Sequence, residues 1–514
     1  LITASAAERR AAAKWRVWMI VIMGLTCALA LLLYRQSRGG ALTLAPIAWL
    51  LLLICMAAVI YRPRYGIYLI VFLSLLGDSV LTPVYPFNKN FSSGESLLFL
   101  NGSLTFNPVE VFLVITTLSW VLGGLVQRKL KFYVSPLTWP ALLFLGFILF
   151  GLVWGIGRGG SMNIALWEAR AMCYLPMMVI LATNLLEKRQ HINHVIWAAM
   201  LGLFIEALFG DYFVFVLLGG NLDGLEAIAE HSMSIHEGTL FVLMIASWVY
   251  GASRTKRLVL PLMAPFVLLA FASNQRRASY ISLILAVLLI FTALHKVRRR
   301  LFWFILPPIV LAGMLYTAAF WNSSSGTLGM PARAVRSVIA PVKGGRDDRS
   351  NEYRDIENIN TSFTIHQVPL TGLGFGHKFY VIAPLPDISF FVWYEYITHN
   401  SIMWVWMQIG AGGFFSMVFL VGMAIMCGAR ATWRMLSGDL AAIGLTATLY
   451  VVMHFIYAYV DMSWETQSMV YVGAMMGVIG SLEHVAGVPV PARSRRWPWQ
   501  PQPLPPPGLA PDSG

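Results

Sequence analysis

The feature that most constrains this chain is a succession of apolar segments, each about 15 to 25 residues long and without strict alternation, recurring along nearly its whole length. Wound as a helix at about 1.5 Å per residue, a run of that length spans the roughly 30 Å of bilayer hydrocarbon. Backbone polar groups find no water there, so only helices or closed barrels can cross, and the missing alternation excludes a barrel. Hydrophobic residues fill 58% of the 514 positions and charged residues 12%, more apolar surface than a soluble fold of this size can bury. The expected fold class is therefore all-α, a polytopic integral membrane helical bundle with the lipid bilayer as its main partner.

The apolar runs fall at 16–34, 41–61, 65–82, 108–126, 136–157, 162–186, 193–219, 237–252, 258–273, 278–294, 301–320, 399–428, 438–460 and 466–484, which gives about 12–14 transmembrane helices. The formal charge of +13 does not point to nucleic acid, because most Lys and Arg sit in short clusters between these runs. If Arg9, Arg10, Lys14 and Arg16 are cytoplasmic, every second loop should be basic, and Arg62, Arg64, Arg128, Lys129, Lys131, Lys188, Arg189, Arg254, Lys256, Arg257, Lys296, Arg298, Arg430 and Arg434 obey that alternation. Arg35 and Arg38 are exceptions. Arg493, Arg495 and Arg496 place the C-terminus on the same side as the N-terminus, so the expected setting is a bacterial inner membrane with both ends cytoplasmic. Lys14 to Tyr34 is long for a signal-peptide core and lacks a small-residue cleavage site, so it is expected to stay as an anchor.

Two outer segments are long, 83–107 and 321–398. The chain thus divides into an N-terminal transmembrane bundle (1–320), an external, periplasmic loop subdomain (321–398), C-terminal transmembrane helices (399–486) and a Pro-rich cytoplasmic tail (487–514) expected to be disordered. Within the subdomain, Tyr353, Ile356, Asn360 and Phe363 recur at helical spacing while Arg354, Asp355 and Glu357 fall elsewhere. That pattern predicts an amphipathic helix, lying on the membrane or packed on the bundle. Cys27, Cys55, Cys173 and Cys427 each lie inside an apolar run, with neither metal-site nor disulfide spacing, and read as small core residues.

Charges inside lipid cost several kcal/mol, so an ionisable residue within a span is a functional candidate. Arg170 lies inside the sixth span, with an ion pair to Glu206 or Glu168 as its alternative role. The turn Ser273-Asn274-Gln275-Arg276-Arg277 joins two runs of about 16 residues, each only about 24 Å long. The turn is therefore expected below the outer surface, where paired guanidiniums would make an anion site; snorkelling arginines in a structural turn are the alternative. Thr398-His399-Asn400 opens the helix that re-enters the membrane. A helix N-terminus disfavours imidazolium, which suits His399 to act as a general base, although a cap or packing role is also open. Asn400, His377 and Arg354 are accessory candidates. His231, His236 and His366 lack mutual ligand spacing, and Asp347-Asp348 reads as a solvated pair, so no metal site is expected.

His399-Asn400, followed nine residues later by Gly410 and then by Gly413, resembles the pattern of the O-antigen ligase and polymerase family of bacterial membrane glycosyltransferases. The stretch Pro369-Leu370-Thr371-Gly372-Leu373-Gly374-Phe375-Gly376 is similar to the Gly-rich stretch that precedes that histidine in the family, and Gln275-Arg276-Arg277-Ala278-Ser279 to its arginine-bearing turn. The likeness covers about residues 160–420, and this chain has adjacent arginines where many members have one. It implies a glycan donor on undecaprenyl pyrophosphate, held by Arg170, Arg276 and Arg277, with His399 activating an acceptor hydroxyl. The acceptor would be a glycan, a lipid core or a protein. No metal or other cofactor is implied, since arginine would stabilise the leaving pyrophosphate. A transporter or flippase for anionic or lipid-linked glycans is the alternative class, against which stands the lack of any inverted repeat.

Overall fold

The computed structural model describes residues 45–77, 89–94, 96–102, 105–126, 128, 130–222, 227–323, 329–340, 346–386, 393–435 and 438–487. The expected first span, 16–34, and the tail beyond 487 lie outside the described residues. Fifteen α-helices follow in order. They are α1 (Ala45–Tyr61), α2 (Arg64–Leu75), α3 (Pro108–Val126), α4 (Thr138–Gly157), α5 (Met162–Leu185), α6 (Arg189–Tyr212), α7 (Met233–Val249), α8 (Arg254–Ser273), α9 (Arg277–Val297), α10 (Arg299–Ala319), α11 (Met330–Ile339), α12 (Arg346–Gln367), α13 (Ser401–Arg434), α14 (Asp439–Val460) and α15 (Thr466–Ala486). A π-turn, Phe213–Leu217, extends α6.

Among the described residues ten helices are long and apolar enough to cross a membrane, and three shorter apolar helices join them. The chain is thus a multi-pass helical membrane bundle, and each expected span from 41–61 onward coincides with a helix. Two differences affect the site. Helix α7 starts at Met233, four residues before the expected span, and so takes His236 into the helix, buried beside Glu237. Helices α8 and α9 have 20 and 21 residues, about 30 Å each at the helical rise, so neither is too short to cross. Their full length overturns the shortness expected from the apolar runs. The runs omitted Arg254, Lys256 and Arg257 at one helix end and His295 and Lys296 at the other, all of which are helical.

The centre of the bundle is α14 and α15, the most enclosed of the long helices; α10 lies at the rim and buries no residue. Close approach of α15 to α5 depends on small residues. A Cβ at Gly473 would lie 2.6 Å from the Leu175 carbonyl oxygen, and one at Gly477 would lie 2.5 Å from the Ala182 Cβ. Without a hydrophobic drive between helices in lipid, such backbone proximity supplies the packing.

The Gly-rich stretch 369–376 is threaded between α4 and a break in α13. Gly410 has φ 69° and ψ −175°, a backbone that L side chains avoid, and a Cβ there would meet the Leu370 carbonyl oxygen at 2.1 Å. The break frees carbonyls from the helix ladder, and the threaded backbone takes them up: Leu373 N–H donates to Met407 O (2.8 Å) and Gly374 N–H to Gln408 O (2.9 Å). On the other side Gly374 packs against the backbone of Gly155, and Gly376 N–H donates to Glu168 Oε2 at 2.7 Å. Glu168, buried on α5, also accepts from Gln408 Nε2 at 3.2 Å. It anchors the Gly-rich stretch and does not serve as the partner of Arg170.

Candidate active site

Four segments that the alternation of basic loops assigns to one side converge at one end of the bundle. They are the loop before α7, the α8–α9 turn, α12 and the loop joining α14 to α15. In the turn, Gln275 adopts φ 53°, and Asn274 is buried. Asn274 Oδ1 accepts from Ala229 N–H at 3.1 Å, and its Nδ2 donates to Ser234 Oγ at 2.8 Å. The turn is therefore covered by protein.

Asp461, which caps the end of α14, gathers this end of the molecule. Its Oδ1 accepts from His231 Nδ1 (3.1 Å) and from Met462 N–H (2.9 Å), while its Oδ2 lies 3.8 Å from Arg276 Nη1 and 3.7 Å from Arg354 Nη2. Burial would raise the pKa of this carboxyl, but the His231 hydrogen bond and the Arg276 and Arg354 charges hold it well below the usual carboxylate range. Both arginine contacts are longer than the roughly 2.7–2.9 Å of a charge-assisted hydrogen bond. The Nε atoms of Arg276 and Arg354 are buried without a hydrogen-bond partner among the described residues. A buried unpaired donor is costly, and an anion between the two guanidiniums would satisfy both.

His399 stands beside this cluster. Its backbone N–H donates to Glu357 Oε2 at 2.7 Å, and its Nδ1 lies 3.1 and 3.3 Å from the two carboxylate oxygens of Glu357. The Tyr353 ring meets the imidazole edge-on, with centroids 5.5 Å apart. Tyr353, Arg354 and Glu357 share one turn of α12, so that turn carries contacts to both His399 and Asp461. Ser401, two residues past His399, donates from Oγ to the Asp461 carbonyl at 3.1 Å.

Helix α12 exists as expected, but its buried face differs. Glu357, Asn360, Thr361 and Thr364 are buried, and Ile359 is exposed. Asn360 Oδ1 accepts from Ile382 N–H (2.9 Å) and Ala383 N–H (2.8 Å), and Thr364 Oγ1 accepts from Tyr380 N–H (3.0 Å). The helix thus packs by hydrogen bonds on the segment that returns from it, and Glu357, expected to point away, points into the site.

The remaining predicted residues are placed as follows. Arg277, in the first turn of α9, is half-buried beside Arg276. Asn400 caps α13, its Oδ1 accepting from Met403 N–H at 3.1 Å. His377 Nε2 lies 3.0 Å from the Gly155 carbonyl, against α4. Arg170 pairs with Glu110 through Nε at 2.9 Å and donates from Nη1 to Thr105 O at 2.8 Å. Its carboxylate partner is Glu110, at the start of α3, rather than Glu206 or Glu168. His236 is buried 3.2 Å from Ser468 Oγ. Asp461 and the role of Glu357 were missed in the sequence, and His231 was set aside there for want of ligand spacing; an acidic residue at the end of a span, facing an excess of arginine, was the available signal for Asp461. No group of three or more His, Cys, Asp or Glu able to hold a metal ion is found among the described residues. No protein-family model and no curated protein matches the chain.

Proposed function

We propose that this protein is a metal-independent, inverting glycosyltransferase of the O-antigen ligase or polymerase type. It would act at the outer face of the bacterial inner membrane in cell-surface polysaccharide and lipopolysaccharide biosynthesis. The observation that carries this reading is the placing of a histidine, His399, against the turn of α12 that carries Arg354, whose underused guanidinium shares Asp461 with that of Arg276. Undecaprenyl pyrophosphate carries the donor glycan, and its phosphates occupy the arginine side. His399 takes the proton of the acceptor hydroxyl as that oxygen attacks the anomeric carbon from the face opposite the leaving group. The bond from that carbon to the pyrophosphate oxygen breaks, and the guanidiniums take up the negative charge that departs with it. Arg277 stands next to this grip, while Arg170, on a helix that packs on α4 and α15, is engaged with Glu110.

Purified protein in nanodiscs, given undecaprenyl-pyrophosphate oligosaccharide and a lipid-core or glycan acceptor, is expected to transfer the glycan in excess chelator. Transfer that requires added Mg2+ or Mn2+ overturns the metal-independent reading. Deleting the gene separates the acceptors. Loss of a polymerase leaves single repeat units, loss of a ligase leaves full-length chains on the carrier, and loss of a transporter traps precursor on the cytoplasmic face.

The two guanidiniums give a sharper expectation. Arg276→Lys and Arg354→Lys keep the charge and lose the planar fork, so donor binding should weaken in both by about 10-fold or more, consistent with loss of about 2 kcal/mol from a desolvated charge pair. Titration of each variant with lipid-linked donor checks this. Affinities equal to wild type in both would remove the arginines from the site.

A further inference from the structure

We infer that Glu357 is the positioning residue of His399, fixing the imidazole with its proton on Nδ1 and its lone pair on Nε2, where the acceptor hydroxyl would be met; this rests on the reading of His399 as the base. A carboxylate can only accept, and Glu357 already accepts the His399 backbone N–H. With both Glu357 oxygens within 3.3 Å of Nδ1, that nitrogen carries the hydrogen, and a neutral ring then leaves Nε2 unprotonated. Nε2 makes no hydrogen bond among the described residues, so it is the atom left to take a proton.

The placement is over-determined. The backbone bond fixes the base of the side chain, the Nδ1 contact fixes the ring, and Tyr353 blocks rotation from the side. Glu357 is itself buried, with 1% of its surface exposed, so water does not compete for its oxygens. A histidine that merely packed at a helix start would not need a buried carboxylate brought from another helix 42 residues earlier in the chain.

Substitution Glu357→Gln keeps the shape and one accepting oxygen, so the backbone bond to His399 is retained while the amide NH2 faces Nδ1 or competes for it. Turnover should fall by about 100-fold or more, the range seen when an orienting group is exchanged, with donor KM unchanged within about twofold. The second measurement is independent of activity. Solid-state NMR of protein labelled with 15N-histidine, with the His399 signal assigned by difference against His399→Gln, should show protonated Nδ1 and unprotonated Nε2 in the wild type. In Glu357→Gln the tautomers should mix.

An Nε2–H tautomer in the wild type, or Glu357→Gln turnover within about threefold of wild type, overturns the assignment. A wild-type protein that shows the Nδ1–H tautomer but transfers no glycan would support the positioning role and overturn the glycosyltransferase reading, so the two failures can be told apart.

Discussion

Replacing His399 with alanine is expected to lower glycan transfer by about 100- to 10,000-fold, the usual cost of losing a positioned general base. Donor binding should hold, because the arginine side of α12 bonds to Asp461 and not to His399. The fold should hold as well, since the cap of α13 belongs to Asn400 and the His399 backbone N–H remains available to Glu357. Single-turnover transfer at saturating donor, together with donor titration, separates the two. Retained turnover would move the proton transfer to another group, such as His231, which bonds to Asp461.

Asp461→Ala should produce the largest loss of stability among single substitutions at this end of the molecule. It leaves Arg276, Arg354 and His231 facing one another without their shared carboxylate, and breaking a buried pair by removing one partner costs about 3–5 kcal/mol. Thermal unfolding in detergent at fixed lipid content measures it. The pH dependence has a definite sign. Asp461 is held below its ordinary pKa in the folded protein, so its contribution is fully present above the unfolded value of about 3.9 and is lost as pH falls through the depressed folded value. The stability gap between wild type and Asp461→Asn should therefore stay flat from about pH 8 to about pH 5 and close only under stronger acid. A gap that closes between about pH 7 and pH 6, the histidine range, would mean that the stabilisation lies elsewhere.

Most of the fold was legible because lipid imposes one rule on every span: backbone satisfied within the helix, apolar side chains outward. The spans from 41–61 onward stand out for that reason. Helix α12 obeys no such rule. It rests on returning backbone, so its buried face is centred on Glu357, Asn360, Thr361 and Thr364, and a search for apolar spacing shares only Asn360 with it. The recess expected for Arg276 rested on short flanking helices, which are in fact full length; what covers the turn is a loop held by Asn274. Asp461 left no periodic trace at all. It lies in a short connection, and its importance comes from three partners on segments 107 to 230 residues away in the chain.

The clasp around residues 369–376 bears on how the protein is made. One jaw, Gly151 and Gly155 of α4, leaves the ribosome early, and the other, the break at Gly410, follows the segment it holds. Vectorial synthesis therefore delivers the 369–376 stretch before its second jaw exists, and Asp461 comes later still. Helices α4 to α9 must be inserted with Arg276 still without Asp461, and the site can close only once α14 has entered and α15 has packed on α5. A chain halted before Asp461 would be membrane-integrated and largely helical, yet would lack the carboxylate that draws His231, Arg276 and Arg354 together.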